Sequence, residues 1–389
     1  MMDPVNPMFV TFKAIVDPAQ AREYNRLGRR LNVSDTVLSL AVLSILLFTG
    51  WTMRLRDLAL HLSGQRFSIA VFFYVVMFAA IMKVAGFYLE LRMFRLEHRF
   101  HLTDQKIGAW LWDQAKAWLL GIAFASVAAE VVYFFIRQCG ETWWIWSWAV
   151  FVLFFVMMAQ LAPVLLLPLF YKFNPLDDVE LKGRLERMSQ KAGVRVRGVY
   201  EWKLSEKSKK ANAALTGLGA TRRILLADTL LNGYTKDEIE AVLAHELGHH
   251  VHQHIVWGII VQSLVSLSVF YVTSQVLLYV LHGSEWFQSY FNDLHDFADL
   301  PVLLLTAGLC SIIITPFLNA YSRFNERQAD EYCWSAIPDV TPYISAMEKL
   351  EEQNLAERDP DLWVEWLFHS HPSLGRRLEA AKAYGLRRK

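Results

Sequence analysis

Apolar residues fall along this chain in blocks too long for core helices. Six runs stand out, at residues 36–53, 67–91, 115–136, 143–169, 255–281 and 301–317. A stretch of roughly 20 apolar residues matches the hydrocarbon thickness of a bilayer, so the pattern predicts six membrane-spanning helices. Trp143, Trp144, Trp146 and Trp148 open the fourth run as an interfacial aromatic belt would. Asp113, Lys116 and Glu130 flank or interrupt the third. Two polar regions break the series. Residues 171–254 begin with a charged helical stretch at 177–192, followed by strand-like pieces at 194–204, 211–216 and 222–227. Gly217-Leu218-Gly219-Ala220 joins the last two as a hairpin connection. Residues 321–389 read as polar helices.

The expected fold is mainly α, a polytopic membrane helical bundle of about six or seven spans carrying a small α+β domain. The divisions are a basic tail at 1–34, spans one to four at 35–170, a soluble subdomain at 171–254, spans five and six at 255–320, and C-terminal helices at 321–389. With 54% hydrophobic residues the chain is not an ordinary soluble protein, and a net charge of +1 gives no reason to expect nucleic acid. Charge placement is more informative. The N-terminal segment, the loop around Arg92, Arg95, Arg99 and Lys106, and both polar regions are basic. Segment 282–300 has no Lys or Arg but carries Glu285, Asp293, Asp296 and Asp299. Six spans put every basic segment on one side, the cytoplasmic one, with Arg54, Arg56 and Arg66 dissenting. Cys139, Cys310 and Cys333 are scattered, which excludes a disulfide framework or a Cys-based metal site.

The densest chemical signal lies at 235–255. Thr235 with Glu238 forms a capping box, and Asp237 and Glu238 put negative charge on the first helical turn. No Pro or Gly follows until Gly248, so one helix is predicted through His245-Glu246-Leu247-Gly248-His249 and straight on into the span at 255–281. His245 and His249 would stand about 6 Å apart on one face. Two imidazoles at that separation can grip one zinc ion and leave Glu246 beside its water. His252 shares their face, but about 10.5 Å along the axis separates it from His245, too far for one tetrahedral ion. His250 and His254 point the other way and read as solvated or supporting groups. Glu326 in NAYSRFNERQAD at 319–330 is the better third ligand, because span five leaves the surface beside His249 and span six returns there. Glu326 and Asp330 share a helix face, so one carboxylate can ligate while the other holds a ligand imidazole.

HELGH followed by SRFNERQAD after the next span resembles the type I CAAX prenyl proteases, integral-membrane zinc metallopeptidases of the HExxH…E type. PVLLLPLFYKFNPL at 163–176, WDQAK at 112–116, EHRFHLT at 97–103, Asn212-Ala213, DTLL from Asp228 and HPSLGRRL at 371–378 resemble further family segments in order. The six-span count against the family's usual seven, and RFHL at 99–102 where the family favours FGFN, are departures.

The resemblance implies a gluzincin-like zinc-protease domain with one Zn²⁺ per chain, held by His245, His249 and Glu326, with Glu246 as general base. It implies that His371 and Arg377 steady the oxyanion, with Arg323 a further candidate. Asp330 would support a ligand, and Asn212 and Ala213 would offer an edge strand to substrate. It also implies a water-filled chamber inside the bundle, whose wall Lys83, Glu90, Asp113, Lys116, Glu130, Gln160 and Gln262 would suit, unless they pair between helices. Implied partners are the lipid bilayer and a peptide or protein substrate, CAAX-type and prenylated or otherwise membrane-associated. The implied location is a multi-pass membrane protein, inner membrane if bacterial or endoplasmic reticulum if eukaryotic. A transporter or channel regulated by a zinc-binding helix is the alternative; it would give Glu246 no special role.

Overall fold

The computed structural model describes residues 17–217, 222–283, 285–288, 291 and 294–388. The N-terminal half holds α1 (Pro18–Phe48), α2 (Trp51–Leu62), α3 (Phe67–Arg99), α4 (Ile107–Cys139), α5 (Trp143–Leu161) and α6 (Leu167–Phe170). After these come β1 (Phe173–Pro175), α7 (Val179–Lys191), β2 (Val199–Trp202), β3 (Ala213–Thr216), β4 (Arg223–Ala227), α8 (Asp228–Gly233) and α9 (Lys236–Val251). The chain closes with α10 (His254–Gly283), α11 (Glu285–Gln288), α12 (Leu300–Ala336), α13 (Thr341–Asn354), α14 (Leu362–Phe368) and α15 (Leu374–Arg388).

Among the described residues five helical stretches are long and apolar enough to cross a membrane. One of them, Ile107–Phe170, is 64 residues long and folds back on itself at Gly140–Thr142, so that α4 and α5 pack together. Neighbour contacts run α1–α3–α4–α5–α10–α12 and back to α1, a closed ring. Inside it lies a cavity of about 780 Å³ whose wall takes residues from all six helices. Lys83 on α3 donates to Glu90 (2.5 Å) and to Gln114 of α4 (2.9 Å) at this wall, so pairing and cavity lining coincide for these three. Asp113 and Lys116 pair with each other (2.8 Å), and Gln160 is exposed on the outside of α5.

Several boundaries differ from the sequence expectation. Residues 1–16, the Leu218–Ala220 part of the hairpin connection and Asp293 lie outside the described residues. The basic segment beyond Asp17 belongs to α1, and Arg29 pairs with Glu357 (2.8 Å). The first apolar run is cut at Gly50, where φ of 76° suits glycine, and α2 turns back against α3. Short α2 closes the end of the bundle: Thr52 meets the Tyr74 hydroxyl and the Ala298 carbonyl (2.6 Å each), and Arg56 pairs with Asp296. That pairing accounts for one of the dissenting arginines.

The part between α6 and α10 is built on a four-stranded sheet of order β1-β2-β4-β3. β3 and β4 form the expected antiparallel hairpin, β2 runs parallel to β4, and β1 is a short strand the pattern did not reveal. Leu226, Leu230, Ile239, Leu243 and Leu247 join sheet, α8 and α9 in one core. A second core sets Ala241 and Ala244 of α9 against Cys333, Tyr343 and Leu378 from the C-terminal helices.

Candidate active site

Helix α9 is started by its capping box: Glu238 N–H donates to the Thr235 hydroxyl (3.3 Å) and Thr235 N–H to the Glu238 carboxylate (2.7 Å). The expected continuation into the next span does not occur. α9 ends at Val251, Gln253 adopts φ of 56°, and α10 begins at His254. No Gly or Pro marks this break.

α9 lies against α12, and Gly248 makes the approach close. A Cβ there would stand 2.8 Å from Ala329 Cα and 2.9 Å from its carbonyl oxygen. The approach delivers Glu326 to the histidines. His245 Nε2 and His249 Nε2 are 3.3 Å apart; Glu326 Oε2 lies 3.3 Å from the first and Glu326 Oε1 3.3 Å from the second. Tetrahedral bonds of about 2.0–2.1 Å place donors about 3.3 Å apart, so a triangle of ligands with these contacts, one donor atom from each within 4.8 Å of the others, suits a zinc ion. Glu326 is 5% exposed, and its Oε2 is buried without a hydrogen-bond partner. A buried oxygen of this kind is costly unless a cation meets it. Burial alone would raise the Glu326 carboxyl, yet the two imidazoles hold it far below the ordinary range. The residues fit a zinc ion.

The ligands are held in turn. His245 Nδ1 lies 2.9 Å from Asp330 Oδ1, which commits that nitrogen to hydrogen bonding and leaves Nε2 for a metal. Burial works to raise the Asp330 carboxyl, but Arg377 and His245 outweigh it and hold it at about 2. Arg377 grips Asp330 in a fork, Nε to Oδ2 at 2.8 Å and Nη2 to Oδ1 at 2.6 Å. His249 Nδ1 faces His254 Nδ1 (3.0 Å), and His254 Nε2 faces Gln328 Oε1 (3.0 Å). With the Gln328 oxygen accepting from Nε2–H, neutral His254 accepts at Nδ1, and His249 keeps its own Nε2 lone pair for metal. Sequence reasoning on a straight helix turned His254 away; the break at Gln253 brings it back.

A cleft of about 530 Å³ opens beside the triangle, lined among others by Asn212, Ala213, His245, Glu246, Glu326, His371 and Arg377. Burial pushes the Glu246 carboxyl above its ordinary value, the direction a general base near neutrality requires. His371 Nε2 reaches within 3.2 Å of Glu326 Oε1 while its side chain stays 59% exposed. Arg377 lies behind the ligands, 3.8 Å from Glu326. Arg323 does not line this cleft; its Nη1 donates to the carbonyls of Glu365 (3.0 Å) and His369 (2.6 Å), anchoring the loop that carries His371. Among the described residues β3 has a sheet partner on one side only, β4. Ala227 N–H donates to the Asn212 carbonyl (3.0 Å), which makes the next pair, Ala213 with Leu226, a non-hydrogen-bonded one. Ala213 therefore points its N–H and C=O outward from the sheet edge.

Residues 175–384 match peptidase family M48, and residues 11–172 match the CAAX prenyl protease N-terminal region with its five membrane helices. The uncharacterized metalloprotease YhfN of Bacillus subtilis is 31% identical over 73% of this chain and 66% of its own length. CAAX prenyl protease 1 of Saccharomyces cerevisiae is 30% identical over 74% of this chain and again 66% of its own length. The chain thus spans just under two thirds of these relatives. The crystal structure of S. mikatae Ste24p superposes with a TM-score of 0.83 over 95% of this chain and 91% of that one, at 22% identity, a likeness of fold.

Proposed function

Since the chain belongs to peptidase family M48, we propose that it is a membrane-embedded zinc metalloendopeptidase whose ligands are His245, His249 and Glu326. The convergence of the three residues carries this reading: the two Nε2 atoms stand 3.3 Å apart, each 3.3 Å from one of the two Glu326 oxygens. A zinc ion held there supplies a Lewis acid for the scissile carbonyl and activates a water. Glu246, beside that position with its carboxyl raised by burial, takes the proton from the water and hands it to the leaving amine. Outward-facing Ala213 pairs with substrate backbone as an added strand, and Asn212 contacts a side chain. His371, at the cleft wall, donates to the developing oxyanion. Arg377 acts at one remove, through Asp330, by fixing the His245 ring.

The substrates are C-terminally prenylated CAAX-type proteins or other membrane-associated proteins, a reading supported by the name of the yeast relative and by the site's place where α12 leaves the bundle. The basic loops support a site on the cytoplasmic side. Glu246→Gln is the test. The variant should keep one zinc per chain and lose peptide cleavage by at least about 10²-fold. Undiminished cleavage would sink the mechanism as assigned. Metal-dependent ion flux without cleavage would favour a transporter. Paired prenylated and unprenylated peptides of one sequence decide the substrate class.

A further inference from the structure

Helix α14 is inside out. Val364 and Glu365 are buried at 2% and 4% exposure, while Leu362, Trp363 and Trp366 are exposed at 72%, 60% and 48%. At 100° per residue the three exposed side chains occupy one face, and the buried carboxylate lies on the other. Inside, Glu365 accepts from Arg376 (3.1 Å). Phe368 (44%) adds to the exposed patch, and its ring lies 6.5 Å from Trp363. Contiguous exposed aromatic surface of this kind calls for a partner.

The surroundings say which partner. Leu309, Ile313, Phe317 and Phe324 form a stripe within about 80° on the outside of α12, at 52%, 68%, 64% and 50% exposure. The lower part of this stripe belongs to a helix of membrane-spanning length and apolarity, so it faces lipid. Trp366 packs edge-on against Phe317, ring centroids 6.2 Å apart. Asn319 donates to the Leu367 carbonyl (2.9 Å), and Arg323 to those of Glu365 and His369, which pins α14 alongside the last turns of the span. The α14 face is therefore continuous with the lipid-facing surface.

We propose that α14 is seated in the bilayer, with Leu362, Trp363, Trp366 and Phe368 at the boundary between headgroups and acyl chains on the side of the zinc site. Tryptophan, with an apolar body and one N–H, is the residue that favours this depth. The seat ties the loop 369–373, and with it His371, to the membrane surface, and it does not depend on the protease assignment. Glu326 stands nine residues beyond Phe317 on α12, about 13.5 Å along the axis, so the seat sets one wall of the cleft just above the lipid.

The test uses the full chain in nanodiscs holding a single copy. Nitroxide labels at W363C and W366C, with Cys139 and Cys310 replaced by Ser, are compared with labels at I313C and K382C. The α14 labels should match Ile313, with relaxation by oxygen exceeding that by a water-soluble nickel chelate, and differ from the water-exposed Lys382 site. Hydroxyl-radical footprinting of the unaltered chain is the companion measurement. Trp363 and Trp366 should be oxidised as slowly as Trp146 and Trp257, which are similarly exposed on the spans at 53% and 55%. Nickel accessibility equal to Lys382, with oxidation several-fold faster than at Trp146, overturns the proposal. Protection that arises only in discs holding two copies also overturns it, in favour of a second chain as the occupant.

Discussion

Replacing Gly248 with Ala separates two lines of reasoning that give opposite signs. Gly248 lies in the last turns of α9, and helix propensity alone says that Gly→Ala there stabilises by about 1 kcal/mol. The packing says otherwise. The added Cβ would meet Ala329 Cα at 2.8 Å and its carbonyl oxygen at 2.9 Å. Carbon contacts settle at about 3.5–4.0 Å, so α9 and α12 must part by roughly 0.7–1.2 Å at this level. Overpacking of this kind costs about 1–3 kcal/mol, which cancels or exceeds the propensity gain. The larger effect falls on metal. His249 is the next residue, and Glu326 lies one turn from Ala329, so the separation stretches the two His–Glu contacts, now 3.3 Å each. Zinc affinity, measured by competition with a chromophoric chelator, should fall by at least about tenfold, against a melting temperature that is unchanged or lowered. Because the clash is with backbone, adding Ala329→Gly should not restore binding. A G248A variant with a raised melting temperature and full zinc affinity would refute the idea that this contact sets the site.

Asp330→Ala frees His245 Nδ1 and strands Arg377; zinc affinity should drop about 10–100-fold in the same competition assay, with far-UV dichroism unchanged. Ala213→Pro removes an N–H that faces away from β4, so the hairpin should persist while kcat/KM for peptide falls roughly 5–10-fold, one hydrogen bond's worth. Thr235→Ala removes the N-cap of α9 and should cost about 1 kcal/mol in thermal unfolding. The other half of that box titrates. Burial works to raise the Glu238 carboxyl, but Lys349, Ser345 and the Thr235 amide prevail and lower it from 4.5. A folded-state pKa below the unfolded one stabilises above the unfolded value and is lost as pH falls through the folded value. Melting temperature should therefore decline below about pH 4.5, and less steeply in Glu238→Gln.

Much of this molecule was legible in the chain. A run of apolar residues as long as a bilayer is thick has few folded alternatives, so five of the expected spans begin within eight residues of their helices' starts in α3, α4, α5, α10 and α12, and the first begins inside α1 but runs past its end into α2. The capping box is a local hydrogen-bond exchange, and it formed as read. The β3–β4 hairpin is equally local. Reading failed where only remote contacts decide. The start of α2 looked like the tail of a span, whereas its Thr52 and Arg56 have partners 246 and 240 residues away. The break after α9 carries no Gly or Pro, and its stabilising contact, His254 with Gln328, spans 74 positions.

The HExxH helix shows where the division lies. Spacing along one helix is local geometry, so the sequence alone determined that His245 and His249 share a face with Glu246 beside them. It also brought Glu326 and Asp330 together on a second helix, since four residues make about one turn. Which carboxylate faces the imidazoles, and which stands behind, depends on how α9 and α12 cross. That crossing is set by Gly248 against the Ala329 backbone. Arg377 likewise became a clamp on Asp330, and Arg323 an anchor for α14, because each guanidinium meets acceptors from other elements. Side-chain identity and helical period travel with the chain; the distance between two helices does not, and a metal site is made of such distances.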